Sequence, residues 1–332
     1  MILFSDIHLR EQCADVVLGE VLPGLREACV ARGEKEAACL GDFFHLRYRI
    51  DARVLNGVLD EFRRWRDAGI HLHLLPGNHD QYEIRGRNAL EVFHELDNVT
   101  VYTQPTQTPR GLWLPYRKDA TELQQVLASP PSPVGRKVLF AHIPIRGAVM
   151  NDAATDTEGV PLEWLAQWDV VFCGHYHKRQ QVAAHRWYVG SAWQTRADES
   201  GQAKGFAVWH EQAGRIEWVD TAWGPRYHRI TVHAGDKLDL SGVAQRDDLR
   251  VRVIGPGAEK AAESFHKAIA TTGQFRVTVT PELEHVEARL DVVDGADLSS
   301  YVKAYVAQQA EPGEHGALLA VFKEITGVEI RP

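Results

Sequence analysis

Cys39-Leu40-Gly41-Asp42-Phe43-Phe44-His45 is the stretch on which the fold turns. Ala37 to Leu40 are small or apolar and read as a short buried strand, which Gly41-Asp42 cuts off. A carboxylate at the end of a buried strand lies where open α/β sheets place their chemistry. Alone, Gly-Asp after a strand reads as a turn. Its company changes the reading, because Asp6 with His8, Asn78 with His79, His142, and His175 with His177 also sit at predicted strand ends. One carboxylate shared between two ions would organise them all, and Asp42 is the candidate for that bridge.

On either side the chain alternates between strand and helix. Met1 to Phe4 reads as the first strand, residues 12–32 as a helix with Val17, Val21, Leu25 and Ala28 on one stripe. After Asp42, residues 52–66 give a clearer amphipathic helix, with Leu55, Val58, Leu59, Phe62 and Trp65 inward. Ile70 to Leu75 is the third strand, closed by Pro76-Gly77-Asn78-His79-Asp80. That alternation predicts parallel strands with right-handed crossovers.

Beyond residue 97 helices thin out. Val99 to Tyr102, Leu112 to Leu114, Val138 to Phe140 and Val170 to Cys173 read as strands, with a proline-rich link from Ser129 to Pro133. Trp187 to Val189, Phe206 to Trp209 and Ile216 to Val219 alternate like a half-buried meander. The expected fold is α/β: two packed mixed β-sheets flanked by helices over residues 1–228. Residues 229–296 then read as a small α+β domain, with strands at Leu249 to Ile254, Phe275 to Val279 and Val286 to Leu290 and a helix over 258–271. Residues 297–332 read as C-terminal helices broken at Pro312-Gly313, with Leu298, Tyr301, Val302, Tyr305 and Val306 as one stripe and Leu318, Leu319, Phe322 and Ile325 as another.

Composition narrows the class. The formal net charge of −8 argues against a protein that coats nucleic acid non-specifically. Arg47, Arg49 and Arg53, and Arg85 with Arg87, are local basic clusters, read either as solvated faces or as anion contacts. Cys13, Cys29, Cys39 and Cys173 are scattered in apolar surroundings, as core residues of a protein in a reducing cytosol would be. No signal peptide is read at Met1, and no apolar run approaches the roughly 20 residues that cross a bilayer.

Asp6 and His8 are two apart, so an extended chain would point them the same way, and His175 with His177 repeats the spacing. Carboxylate oxygen with imidazole nitrogen suits manganese, iron or zinc, and the lack of thiolates argues against a structural zinc. Asp6, His8, Asp42, Asn78, His142, His175 and His177 together suit two ions about 3.5–4 Å apart, the spacing used in phosphoryl chemistry. His79, next to a donor, is free to face a leaving group, for which an imidazole of pKa about 6.5 is a suitable acid. His71, His73, His94, His185 and His210 read as hydrogen-bonded core residues.

Asp6-x-His8, Gly41-Asp42, Gly77-Asn78-His79-Asp80, His142 and Gly174-His175-x-His177, in this order, resemble the calcineurin-like metallophosphoesterase signature. Within it, Gly41-Asp42-Phe43-Phe44-His45, Tyr188-Val189-Gly190-Ser191 and Lys204-Gly205-Phe206 resemble the SbcD-type DNA nuclease subunits. The short tail is nearer in layout to the T-even phage members than to the longer eukaryotic ones. The resemblance implies one metal held by Asp6, His8, Asp42 and His177 and another by Asp42, Asn78, His142 and His175. It implies that His79 assists the leaving group and that His45 acts near the scissile strand. It further implies two divalent ions, manganese ahead of magnesium, and a homodimer working on DNA with an SMC-like ATPase of the SbcC type. The α+β domain would cap DNA and the terminal helices would bind the ATPase. Arg10 departs from the family, which often has glycine there, and reads equally as a phosphate contact or a solvated side chain. Rival readings are a small-molecule phosphodiesterase or nucleotidase with the same metals, and a non-catalytic scaffold, which would be expected to have lost donors.

Overall fold

The short apolar runs that end in donor residues become the central strands of two sheets. The computed structural model describes residues 1–83, 87–128, 136–151, 154–270, 276–281, 298–309 and 315–326. Its strands begin with β1 Ile2–Phe4, β2 Glu36–Cys39, β3 His71–Leu74, β4 Val99–Val101, β5 Thr106–Thr108, β6 Gly111–Leu114 and β7 Val138–His142. They continue with β8 Val149–Asn151, β9 Ala154–Thr155, β10 Val170–Gly174, β11 Gln180–Ala183, β12 Arg186–Tyr188, β13 Gly205–His210 and β14 Arg215–Asp220. One six-stranded sheet runs β14-β13-β1-β2-β3-β4 and the other β11-β12-β10-β7-β6-β5. β1 to β4 are parallel, as are β6, β7, β10 and β12, while β13 pairs antiparallel with β1.

Side chains that alternate along these strands build three apolar layers. Leu3 and Ala38 face inward and meet Trp113, Phe140 and Phe172 of the second sheet. Ile2, Phe4, Ala37 and Cys39 face outward, against Val21, Leu25, Val58, Phe62 and Trp65 of the helices. On the far side, Leu139, Ala141 and Val171 pack with Leu123, Leu127 and Trp168. Between the sheets, paired register puts Trp113 beside Phe140 and Phe140 beside Phe172. Their rings stack with centroids 4.3 and 5.7 Å apart, and Tyr102 adds to the row at 4.5 Å from Trp113.

The helix expected over residues 12–32 is present but irregular. Val17–Val21 widens to a π-type turn directly before Leu22–Arg32. Pro23 explains this, since it has no N–H for the regular ladder and its ring crowds the carbonyl four residues back. The helix Ala52–Asp67 starts cleanly because the Asp51 carboxylate accepts the Arg53 N–H at 2.8 Å.

Two expectations fail. Residues 187–219 do not form a meander, because β12 pairs with β10 in one sheet while β13 and β14 pair in the other. A helix also forms at Ala120–Ala128, where the sequence reading has none. The proline-rich link at 129–133 and the strand read at 286–290 lie outside the described residues.

The chain divides into two units. The larger takes in Met1–Ile230, Leu240–Arg250 and Thr272–Val277 and contains both six-stranded sheets. The smaller takes in Thr231–Asp239, Val251–Thr271 and Thr278–Pro332. Downstream strands β15 Tyr227–His233, β16 Asp248–Ile254 and β17 Arg276–Pro281 form a three-stranded sheet in that order. In the smaller unit, Val306 of the helix Leu298–Gln309 and Leu319 of His315–Thr326 are buried together, with Val302 against them. Tyr301, Tyr305 and Leu318 stay exposed, so the predicted stripes are only partly covered, and Val321, outside those stripes, is exposed as well. The Phe322 and Ile325 side chains and the break at 312–313 lie outside the described residues. No helix among the described residues is long and apolar enough to cross a membrane.

Candidate metal centre

Because β1, β2 and β3 run parallel, and β7 and β10 likewise, the residues at their carboxyl ends can gather at one place. Asp6 and His8 follow β1, Asp42 and His45 follow β2, and Asn78, His79 and Asp80 follow β3. His142 ends β7, and His175 and His177 follow β10. The backbone is not extended at Asp6 and His8, as the spacing suggested: φ is 52° and 49° there, with 51° at Asp42 and 105° at His175. Asp6, His8, Asp42 and His175 thus hold the left-handed region, which non-glycine residues rarely enter. The loops also need glycine, since a Cβ on Gly41 would overlap the His142 ring and one on Gly77 the Asp42 carboxylate.

The donors fall into two clusters that share a neighbour. Ligand atoms of Asp6, His8 and His177 lie within 4.8 Å of one another, as do those of Asp42, His142 and His175. Asn78 Oδ1 joins the second, 3.2 Å from His142 Nε2 and 3.0 Å from His175 Nδ1. Asp42 Oδ1 accepts the His79 N–H at 2.8 Å, which leaves Oδ2 between His8 Nε2 at 3.7 Å and His142 Nε2 at 3.5 Å. A third grouping, His8 with His45 and His79, flanks the first: His45 Nδ1 is 3.3 Å from His8 Nδ1, and the His45 and His79 rings stack. The sequence-predicted residues are all brought together.

Hydrogen bonds fix which ring nitrogens face inward. His142 Nδ1 donates to the Leu40 carbonyl at 2.7 Å, and His177 Nδ1 to the Glu199 carboxylate at 2.5 Å. Each therefore turns Nε2 to the centre, where it offers a lone pair once that nitrogen carries no proton. His142 Nε2 lies 3.3 Å from His175 Nδ1, and His177 Nε2 lies 2.9 Å from His8 Nε2. Lone pairs and carboxylate oxygens converging this closely need a proton or a cation between them. The nitrogen and oxygen set without thiolate fits a divalent ion of the manganese, iron or zinc kind.

Charge follows the same arrangement. Burial acts to raise the Asp42 carboxyl, but His142, by charge and hydrogen bond, together with His8 and His79, holds it far below the usual carboxylate range. Burial opposes protonation of His142, yet Asp42 overrides it and pushes the ring up to about 9. His175 goes the other way, down to about 3, through burial and then the His142 charge. Burial raises the Asp6 carboxyl, whose oxygens lie 3.2 and 3.3 Å from the His175 N–H.

The supporting residues were not singled out by sequence. Asp80, inside the quoted motif but given no role, is fully buried and accepts three N–H groups: Phe44 at 2.8 Å, Gly77 at 2.9 Å and Phe43 at 3.2 Å. It thereby ties the loop carrying Asp42 to the loop carrying Asn78. Glu199 sits behind His177 and is itself held by Thr195 and by Lys204, whose Nζ is 3.0 Å away. Nothing in the pattern Ala197-Asp198-Glu199 distinguishes that carboxylate from a solvated one.

The secondary histidine readings hold in part. His71 bonds Thr100 and His73 bonds Tyr102, both at 2.8 Å. His94 and His185 are exposed and His210 is half-buried, so these are not core residues. They lie in a short 3₁₀ turn, a tight turn and the last position of β13, where the chain meets water. Arg53 pairs with Asp51 and Glu11 in solvent, and Arg85 lies outside the described residues. Arg10 lines the donor cavity of about 300 Å³ together with Arg196 and Trp193.

The sequence profile described as calcineurin-like phosphoesterase matches residues 1–179, more than half of the chain. The chain belongs to this family. Among curated proteins, exonuclease subunit 1 of Enterobacteria phage T4 is 24% identical over 241 residues, covering 69% of this chain and 67% of that protein. Among solved structures, the Pseudomonas putida nuclease MPE aligns at 17% identity and a TM-score of 0.33, over 64% of this chain and 84% of that one. A dimetal phosphatase from Danio rerio aligns at 14% identity and a TM-score of 0.35, over 62% and 90%. For a phosphoesterase, the donor clusters are the candidate seat of the family's divalent ions.

Proposed function

We propose that the chain is a two-metal DNA phosphodiesterase: an exonuclease, with single-strand or hairpin endonuclease activity as a further capacity. The observation that carries this is Asp42 Oδ2 lying between the two donor clusters. In this reading one ion sits among Asp6, His8, Asp42 and His177 and the other among Asp42, Asn78, His142 and His175, with manganese the preferred metal. Such a pair supplies Lewis acidity to a phosphodiester and a more acidic water at neutral pH. The remaining work falls to the chain. His79 donates its Nδ1 proton to the His45 carbonyl at 2.9 Å, so that the ring, as the imidazolium, would give its Nε2 proton to the departing sugar oxygen and end as the neutral Nδ1–H tautomer. Glu199 holds the His177 ring in the tautomer that presents Nε2. His45, whose ring lies beside those of His8 and His79, would act near the scissile strand in this reading.

DNA as substrate is supported by the likeness to the phage T4 protein, an exonuclease subunit by name. The same likeness supports a partner subunit, which we take to be an SMC-like ATPase of the SbcC type, with the nuclease a homodimer in the cytoplasm. Residues 229–296 would then cap the DNA and residues 297–332 bind the ATPase through the exposed Tyr301, Tyr305, Leu318 and Val321. DNA end processing in repair, recombination or replication is the setting.

The deciding experiment is manganese-dependent digestion of a labelled linear duplex beside Asp42→Ala. Loss of both cleavage and metal occupancy is expected; two ions retained at wild-type affinity would remove the bridging role. Activity confined to nucleotides would favour a nucleotidase. For the partner, Tyr305→Glu with Val321→Glu should keep hydrolysis of a small diester and lose co-purification of the ATPase. Retention of the ATPase refutes that interface.

A further inference from the structure

Next to the metal centre lies a second groove that the chemistry above does not use. It has a volume of about 300 Å³ and is lined by Arg47, Tyr48, Tyr82, Tyr116 and Lys118, with Asn78 at its inner end. Asn78 also lines the donor cavity, so the two adjoin at that residue. Glu83 is the single carboxylate in the lining among the described residues. Tyr116 stands at the junction, its ring stacked at 6.2 Å on His175. Its backbone is fixed there by the Pro76 carbonyl at 3.0 Å and by Gln81 Nε2 at 3.0 Å. Tyr48 and Tyr82 lie farther out with ring centroids 6.4 Å apart, and Tyr48 is 79% exposed.

A single exposed tyrosine is ordinary on a protein surface, but here Tyr48 pairs with Tyr82 in the same groove as Tyr116, Arg47 and Lys118. Tyrosines spaced along a groove, with cations beside them, are what a single nucleic-acid strand requires. Each base offers a π-face to stack and each phosphate a charge to meet, with no need for base-specific hydrogen bonds. Among the described residues, neither Arg47 nor Lys118 has an ion-pair partner that would occupy its charge. A small nucleotide substrate would need only the donor cavity.

We infer that this groove is a stacking track for a single strand of nucleic acid, leading it to the phosphodiester at the metal centre. This rests on the phosphodiesterase reading for its direction, but strand binding is measurable without catalysis. The test is anisotropy of a fluorescein-labelled oligo-dT of about 12 nucleotides with the full chain in EDTA, beside manganese-dependent hydrolysis of bis(p-nitrophenyl) phosphate. Tyr48→Ala should weaken strand binding roughly 5- to 150-fold, the range for losing one base stack. Tyr48→Phe keeps the ring and should bind like wild type. Lys118→Ala should lower the salt slope of binding by about 0.7, as for one phosphate contact on a single strand. None of the three should alter hydrolysis of the small diester. Wild-type binding by Tyr48→Ala overturns the track, as does wild-type protein that ignores oligo-dT or prefers blunt duplex. Absence of diester hydrolysis with strand binding intact and Tyr48-dependent would instead refute the phosphodiesterase reading and leave the track standing.

Discussion

Replacing Asp80 by asparagine tests how the donor loops are tied together. Its carboxylate accepts two N–H groups at Oδ2, from Gly77 at 2.9 Å and Phe43 at 3.2 Å, and one at Oδ1, from Phe44 at 2.8 Å. An asparagine amide has one accepting oxygen. With that oxygen in the Oδ2 position it keeps Gly77 and Phe43, and its NH2 then faces the Phe44 N–H. The Phe44 N–H loses its acceptor and meets the amide's own buried donors, at a cost of at least about 1–3 kcal/mol. For a unit of this size that lowers the melting temperature by roughly 2–12 °C, at about 2–4 °C per kcal/mol. Alanine strands all three donors and should cost about 3–9 kcal/mol, comparable with the whole stability of a domain. Burial and the Asp42 charge push the Asp80 carboxyl up to about 7, so the melts belong at pH 8, where the carboxylate form is compared. The assay is differential scanning fluorimetry in EDTA, followed by manganese titration calorimetry. The asparagine variant should lose metal affinity as well, about 10- to 100-fold, because the loops delivering Asp42 and Asn78 are no longer held in register. An asparagine variant that melts within 1 °C of wild type at pH 8 (about the error of the method) would falsify the three-donor account.

Glu199→Gln should weaken manganese binding by about 10- to 100-fold at the His177 cluster while sparing the Asn78 cluster, so calorimetry should resolve one weak and one normal site. Equal loss at both sites would mean that Glu199 acts on the fold rather than on His177. His79→Ala should slow hydrolysis of a sugar phosphodiester about 10²- to 10⁴-fold with metal content unchanged. A nitrophenyl ester, whose leaving group needs no proton, should be largely spared; parallel losses on both substrates remove the general-acid role. Burial raises every thiol, Cys29 to about 12, Cys13 above its usual value, and Cys39 and Cys173 well above theirs. At pH 8 a group like Cys29 is thiolate in only about one part in 10⁴, so a disulfide reagent should find nothing in the native chain and all of Cys13, Cys29, Cys39 and Cys173 after unfolding. Rapid labelling of the native protein contradicts that burial.

The donors were legible because they sit where buried strands stop. Val138 to Phe140 and Val170 to Cys173 are apolar without alternation, as strands covered on both faces must be, and His142, His175 and His177 end them abruptly. Edge strands carry no such mark: Thr106–Thr108 and Gln180–Ala183 are polar because one side faces water, and they were missed. The path after Tyr188 was misread for a different reason. Period-two alternation says that a segment is a strand but not which sheet it joins, and β12 and β13 join different ones. Glu199 was invisible because its meaning comes from His177, distant in sequence and adjacent only in the fold.

The left-handed backbone at Asp6, His8, Asp42 and His175 also has a consequence for amide hydrogen exchange. Turns of this kind are held by their surroundings, here by the Asp6 N–H on the Gly41 carbonyl and the His8 N–H on the Asp42 carbonyl. Without an ion, the like-charged and lone-pair contacts behind them favour brief local opening, so these amides should exchange far faster than those of the adjoining β1 and β2. An ion that binds only the closed form suppresses that opening by mass action. Deuterium uptake at the ends of β1, β2 and β10 should therefore read metal occupancy loop by loop, against sheet amides whose burial and pairing should keep them slow.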